Sequence, residues 1–254
     1  MADECSYLDY TPWDKQVDFH YIDKEVRLLA WANRTGKTTA GGAECVMAGM
    51  GTHRYIHYPR PPLTIWACSI DYKQMRDSII QALEERIDCH ICNGRGHSEG
   101  DSCPVCRGSG VRKPRLLPEG VKLNENRMEY RLPKVHKDDD KGSVIRLKSA
   151  DRGRKSFQGA GLPLIWLDEE LPEDILKEIF LRISGSGFRR RIIWTMTAVD
   201  GLSYAYEHFY IPFMEHAEDT PGQTHPRIHY SEASIYENPY LIKDEIDGVI
   251  EKFP

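Results

Sequence analysis

The sequence predicts an α/β fold built on a mainly parallel central sheet with helices on both faces. Apolar, strand-like runs alternate with helix-periodic segments along most of the chain, the pattern of βαβ units. The 254 residues suffice for a substantial core and correspond to one to two domains at ~150 residues each. Hydrophobic residues at 40% and charged residues at 29% exclude a disordered acidic chain. No apolar run approaches the ~18 residues of a spanning helix, so no membrane partner is expected. The start, MADECSYLDY, has neither the basic nor the apolar region of a signal peptide. The net charge of −5 excludes a uniformly basic coat for nucleic acid and leaves a local basic track open.

In chain order, residues 1–25 are aromatic and acidic without clear periodicity. Val26–Ala30 reads as a buried strand, and small and apolar residues from Lys37 to Met50 as a packed helix. Leu63–Cys68 is a second strand after a Pro-rich turn. Tyr72–Ile87 is a helix with Met75, Ile79, Ile80, Leu83 and Ile87 on one face. Residues 88–110, rich in Cys, Gly, His and Ser, read as an insertion. Residues 111–160 hold 14 Lys and Arg against 7 Asp and Glu, with short strands at Met128–Leu132 and Val144–Leu147 around a turn. The α/β pattern then returns: strand Pro163–Leu167, helix Asp174–Ile183, strand Arg191–Met196, helix Leu202–Tyr210 and strand Arg227–Ser231. A terminal helix is expected from Asn238-Pro239 to about Lys252.

The chemistry starts where the first strand meets its helix. Asn33-Arg34-Thr35-Gly36-Lys37-Thr38-Thr39 carries GKT in the strand–loop–helix context of a phosphate loop. Gly36 lets the backbone approach a phosphate, Lys37 is placed for the β- and γ-phosphates, and Thr38 for Mg²⁺. The first glycine of the usual motif falls on Trp31, a departure. A helix start with an incidental Lys-Thr is the plainer alternative. Leu164–Leu167 ends in Asp168-Glu169-Glu170. An Asp here can hold Mg²⁺ and the next Glu can polarise a water; the alternative is that the acids favour the following helix N-terminus. Thr197 ends a later strand, where its hydroxyl could face a nucleotide or simply reflect the strand preference of threonine.

Together these segments resemble the P-loop ATPase domain of phage large terminase subunits, an ASCE/RecA-like fold. Tyr10–Gln16 looks like the adenine-site motif, with Gln16 as its glutamine. Ala32–Thr38 is similar to the variant Walker A with Arg34 inside the loop. Leu164–Glu169 matches Walker B with its catalytic glutamate. Thr195–Ser203 looks like the coupling motif, and Glu237–Leu241 is similar to the linker before a nuclease domain. The resemblance implies a DNA-packaging motor. It would use ATP and Mg²⁺, act on double-stranded DNA, meet a portal protein and a small terminase subunit, and form a homo-oligomeric ring in the cytoplasm of an infected bacterium. The expected organisation is one motor domain over 1–254, interrupted by the 88–110 insertion and lacking the nuclease domain.

Four of the seven cysteines form two CxxCxGxG copies, Cys89/Cys92 and Cys103/Cys106. Two such knuckles close a Cys₄ zinc site, structural because no coordination position stays open. The pattern resembles the zinc modules of DnaJ-type chaperones over these residues alone. A subunit or portal contact, DNA, or closure of a long insertion are the open roles. The basic 111–160 stretch reads as a solvated face or as a surface facing DNA or a neighbouring subunit. Arg34 in cis, or Arg152 or Arg154 in trans, are candidates to neutralise γ-phosphate charge. The rival readings are another P-loop enzyme, such as a kinase or helicase, and a zinc-dependent nucleic-acid adaptor with a degenerate nucleotide pocket. ATP turnover with and without DNA separates them.

Overall fold

The computed structural model describes residues 10–89, 92–95, 97–98, 101–103, 111–159, 161–183, 189–197, 203–241 and 243–250. The chain runs through α1 (Asp14–Tyr21), β1 (Val26–Trp31), α2 (Lys37–Met50), β2 (Thr64–Ser69) and α3 (residues 72–84). The insertion follows with the short strands β3 (Ile87–Asp88), β4 (His97–Ser98), β5 (Asp101–Ser102) and β6 (Val111–Lys113). Next come β7 (Leu123–Asn124), β8 (Glu129–Arg131), β9 (Val144–Ser149), β10 (Leu164–Asp168) and α4 (Glu173–Ile183). The remainder is β11 (Arg191–Met196), α5 (residues 204–219), β12 (Ile228–Ala233) and α6 (Lys243–Ile250).

Eight strands form one sheet in the order β12-β1-β11-β10-β2-β9-β8-β7. The first six are mutually parallel, and β8 and β7 close the edge antiparallel. Parallel strands need crossovers, and the crossover helices cover both faces. On β10, Leu164 and Trp166 enter the core beneath α2, whereas Ile165 and Leu167 enter the one beneath α4 and α5. That two-sided burial explains the uninterrupted apolar runs. α2 lies close to the sheet because its sheet-facing residues are small. A Cβ on Gly41 would stand 2.5 Å from the Trp166 indole, so glycine is required there.

β11 lies between β1 and β10. Thr195 is in register with Leu29 on one side and Asp168 on the other, so the three strands end at one edge. A parallel sheet gathers its loops at that edge, where ligands of α/β folds bind.

Several boundaries differ from expectation. Residues 14–21 form a helix that short, polar composition hides. α3 ends at Glu84, and Ile87 belongs to β3 instead. Its middle, Met75–Ile80, is a π-turn in which the Gln81 N–H reaches back five residues to the Arg76 carbonyl. α5 runs through Pro212 to Asp219 rather than stopping at Tyr210. A second π-turn at Tyr206–Tyr210 precedes it, and Pro212 falls in the first turn of the α-helical part, where a missing amide costs little. The terminal helix begins at Lys243; before it Ile235–Glu237 makes one 3₁₀ turn capped reciprocally by Ser234 and Glu237.

Candidate active site

The phosphate loop is shaped by two left-handed residues, Arg34 (φ 63°) and Gly36 (φ 84°). Three consecutive carbonyls of this loop are held from outside. Asn238 Nδ2 donates to Arg34 O at 2.6 Å, Trp13 Nε1 to Thr35 O at 3.1 Å, and Gln16 Nε2 to Gly36 O at 2.9 Å. Turning carbonyls outward turns the neighbouring amides inward, the geometry of an anion-accepting nest. Gly36 caps α2 without a side-chain hydrogen bond, so the first-turn amides at Lys37, Thr38 and Thr39 have no cap competing with an anion.

Trp31, the departure from the usual motif, is not in the loop. It ends β1, buried, with its Nε1 donating to Ser231 Oγ at 2.9 Å and its ring 5.6 Å from that of Trp13. The loop's turn is made by residues 32–36 instead. Gln16 is buried; its Nε2 braces the loop, and its Oε1 accepts from the Trp13 N–H at 3.2 Å, which fixes the side chain at the start of α1.

Lys37 Nζ donates to Thr197 Oγ1 at 2.8 Å, lies 3.4 Å from Asn33 Oδ1 and 3.9 Å from Glu169 Oε1. Burial pushes its pKa down, while Glu169 and Asp168 pull it up. Glu169 sits in the left-handed region (φ 66°), an uncommon conformation for a non-glycine residue. Its carboxylate accepts from the Thr197 N–H at 2.8 Å, its N–H donates to Thr195 O at 2.7 Å, and its carbonyl accepts from Trp194 Nε1 at 3.1 Å. Thr197 also stands 3.0 Å from Asn33 Oδ1, linking the phosphate loop to the acidic pair. Glu170 faces elsewhere: it accepts from the Ala205 N–H at 3.2 Å, at the start of α5.

Asp168 is buried, and burial pushes its pKa up to about 6, with hydroxyls from Ser78 and Thr195 acting against this. Oδ1 accepts from Thr195 Oγ1 at 2.7 Å and faces Thr38 Oγ1 at 3.4 Å; Oδ2 accepts from Ser78 Oγ. Neighbouring oxygens on an octahedral Mg²⁺ with bonds of about 2.1 Å lie about 3.0 Å apart. The Thr38–Asp168 pair, 3.4 Å apart, would need to close by about 0.4 Å to serve as two neighbouring ligands of one Mg²⁺. Thr39 lies in the same first turn, half-buried. Thr195, the first residue of the expected coupling motif, meets Asp168 here, and Ser78 joins the site without having been expected there. The one sequence signal for Ser78 is a hydroxyl beside Met75 and Ile79 on an otherwise apolar helix face.

Of the arginine candidates, Arg34 is exposed on the loop and Arg152 is exposed beyond β9. Arg154 pairs with Glu178, its Nε and Nη2 both 3.0 Å from Oε2. In the insertion, Cys89, Cys92 and Cys103 are buried with their sulfurs within 4.8 Å of one another. Cys89 and Cys103 Sγ are 3.8 Å apart, the separation of two sulfurs on tetrahedral zinc with bonds of about 2.3 Å. The knuckle turns through left-handed Asn93 and Gly94, with the Gly94 N–H on Cys89 O and the Arg95 N–H on Cys92 O, both at 3.0 Å. Cys106, the expected fourth ligand, lies outside the described residues, as does 198–202 of the expected coupling motif.

No family profile matches the chain, and no curated protein matches it in sequence. Solved structures do. The large terminase ATPase domain of Thermus phage P74-26 superposes with a TM-score of 0.56 at 17% identity, covering 97% of this chain and 89% of that one. The large terminase of a second, thermophilic bacteriophage, in complex with ADP, gives 0.60 at 15% identity, covering 95% and 50%. The same protein with ATP-γ-S gives 0.58 at 14%, covering 94% and 49%. The chain thus spans about half the length of that second terminase. Its fold is that of a terminase P-loop ATPase domain. Among the described residues no helix is long and apolar enough to cross a membrane.

Proposed function

We propose that this chain is an ATP-hydrolysing motor domain of a viral large terminase, working on double-stranded DNA. The observation that carries the reading is the meeting of Lys37, Thr38, Asp168, Glu169 and Thr197 at one sheet edge: residues from the ends of three adjacent strands, arranged around a preformed phosphate nest. The terminase likeness of the fold supports the substrate class.

In this reading the amides of residues 33–39 hold the β- and γ-phosphates and Lys37 neutralises their charge. Thr38 and Asp168 would hold Mg²⁺, which supplies Lewis-acid stabilisation of phosphate charge when bound. Glu169, held by the Thr197 amide, orients the attacking water and takes its proton. Thr197 touches Lys37, Asn33 and Glu169 together, so loss of the γ-phosphate changes its partners and reports hydrolysis to the rest of the sheet. The support for a trans arginine favours Arg152 over Arg154, because Glu178 already holds Arg154 in its own chain. Arg34 is the cis alternative. A homo-oligomeric ring, a portal protein and a small terminase subunit are the partners this role requires. Cys89, Cys92, Cys103 and Cys106 would hold one structural zinc.

The test is ATP turnover by the purified chain with and without double-stranded DNA, alongside elemental analysis. Hydrolysis that DNA modulates, with one zinc per chain, is expected. Phosphoryl transfer to another acceptor, or tight DNA binding without turnover, would replace the motor reading by the kinase or adaptor. Mixing Arg152→Ala protein with Glu169→Gln protein should restore some activity if the finger acts in trans.

A further inference from the structure

Asp168 is a buried carboxylate that must present one oxygen in a fixed direction, and its own strand does not fix that direction. Rotation about its last side-chain bond is soft. Beside the longer contact of Thr38 with Oδ1 at 3.4 Å, two close hydroxyls hold it, one per oxygen: Thr195 on Oδ1 and Ser78 on Oδ2. Thr195 comes from the adjacent strand and is itself oriented by Trp166 Nε1 at 2.9 Å. Ser78 comes from α3, and the helix there is not regular. The π-turn over Met75–Ile80 contains Ser78, and such turns recur at functional sites because they re-aim a side chain.

α3 is a rigid carrier. Met75 and Ile79, flanking Ser78 on the buried face, sit in the core beneath α2. Asp71 caps the helix by accepting from the Gln74 N–H at 2.7 Å. At the other end Lys113 Nζ binds the Gln81 and Glu85 carbonyls at 2.6 and 3.2 Å, and Tyr130 OH donates to Glu84 at 2.8 Å. With both ends tied and the middle buried, the hydroxyl of Ser78 has a defined place relative to β10. We infer that Ser78 is a positioning residue that, through the π-turn of α3, sets the orientation of the Asp168 carboxylate for divalent metal. The inference rests on the ATP-site reading above.

The test is direct metal binding, with Mn²⁺ as the spectroscopic stand-in for Mg²⁺. Mn²⁺ is titrated by electron paramagnetic resonance into the full chain with saturating ADP. Wild type is compared with Ser78→Ala, Ser78→Cys and Ser78→Thr. Loss of a group that orients a metal ligand typically lowers metal affinity about 10–100-fold. Ala and Cys should weaken Mn²⁺ by that factor, and Thr, which keeps the hydroxyl, should retain most of the affinity. ADP affinity without metal should stay unchanged, because the phosphate nest does not touch Ser78. Across an ATP titration at fixed Mg²⁺ the Ala variant should show a lower kcat with little change in KM. Cys preserves volume, so it keeps the test valid if the Ala variant folds poorly. Wild-type Mn²⁺ affinity in the Ala or Cys variant would overturn the inference alone. A wild-type chain that binds no Mn²⁺·ADP would overturn the ATP-site reading and this inference with it.

Discussion

The unit formed by β1 and α2 carries two ionic clusters, and they are built on opposite principles. Near the middle of α2, Glu44 is fully buried and its carboxylate is saturated. Oε1 accepts from Arg27 Nη1 (2.8 Å), His20 Nδ1 (2.9 Å) and His53 Nε2 (3.0 Å); Oε2 accepts from Arg27 Nη2 (3.1 Å) and Tyr58 OH (2.9 Å). At the start of the same helix, Lys37 has its carboxylate at a long 3.9 Å, beside left-handed Arg34, Gly36 and Glu169. The saturated cluster has no capacity left for a ligand. The other keeps unmet charge and strained backbone, which suits the transient anion proposed for it.

The comparison also disposes of a metal at His20, Glu44 and His53. The Ile56 N–H donates to His53 Nδ1 at 2.9 Å, which puts that ring's proton on Nε2, facing Glu44. A metal on Nε2 would need the proton on Nδ1, where the Ile56 N–H already points. Arg27 meanwhile supplies the counter-charge.

The sharpest way to test the contrast is to remove one carboxylate's charge from each cluster. Glu169→Gln should lower ATP turnover by about 10²–10⁴ while leaving the melting temperature and ATP binding nearly unchanged, as read by steady-state hydrolysis and a thermal scan. Glu44→Gln should do the reverse. Leaving Arg27 buried beside a neutral amide should cost about 3–5 kcal/mol in urea unfolding, with nucleotide affinity per folded molecule retained. Equal stability losses in the two variants would break the distinction.

The pH dependence separates them next. Arg27 and the hydrogen bonds from the two histidines outweigh burial and hold the Glu44 carboxyl well below its ordinary value, so its contribution is present above about pH 4.5 and lost as pH falls through the folded pKa. Burial lowers the His20 pKa, so the native state resists its protonation and stability also falls as pH drops below about 6.5. Asp168 acts with the opposite sign. Its pKa is raised from 3.8 to about 6, so its contribution is present at low pH and lost as pH rises through that value. In metal-free protein, Asp168→Asn should therefore raise stability by about 1–3 kcal/mol at pH 8 and flatten that limb of the profile. Unfolding midpoints from pH 4 to 8 decide this, and a destabilised Asn variant would contradict it. The smallest effect lies in the shared scaffold. Gly41→Ala should cost a net ~0–2 kcal/mol, the overpacking of α2 against Trp166 being offset by about 1 kcal/mol of alanine's helix preference. Its ATP affinity should fall less than its stability.

What the sequence reveals follows from where the physics is local. Strands such as Leu164–Asp168 and Arg191–Met196 are buried on both faces, so their apolar runs are visible without knowing the sheet order. Gly36, Lys37 and the Asp168-Glu169 pair stand at strand ends, where their types and positions suffice. The loop's left-handed Arg34 and Glu169 are invisible, because neither residue type marks such a conformation. Trp31 misleads because a motif that counts from the first glycine does not register where the strand stops. The braces on the loop come from Trp13 and Gln16 near one end of the chain and Asn238 near the other, and no local pattern joins them. Ser78 needs the π-turn, which no periodicity of Tyr72–Ile87 reveals.

Those braces have a thermodynamic consequence. Fixing a backbone residue costs about 1–2 kcal/mol of conformational entropy. In a loose phosphate loop that cost would fall on nucleotide association, residue by residue. Here Asn238, Trp13 and Gln16 clamp Arg34, Thr35 and Gly36 before any nucleotide arrives. Folding itself supplies the ordering, and under the proposed ATP-site reading association would proceed without that penalty. Release of spent nucleotide would then leave behind a loop that has not relaxed, ready at once for the next one.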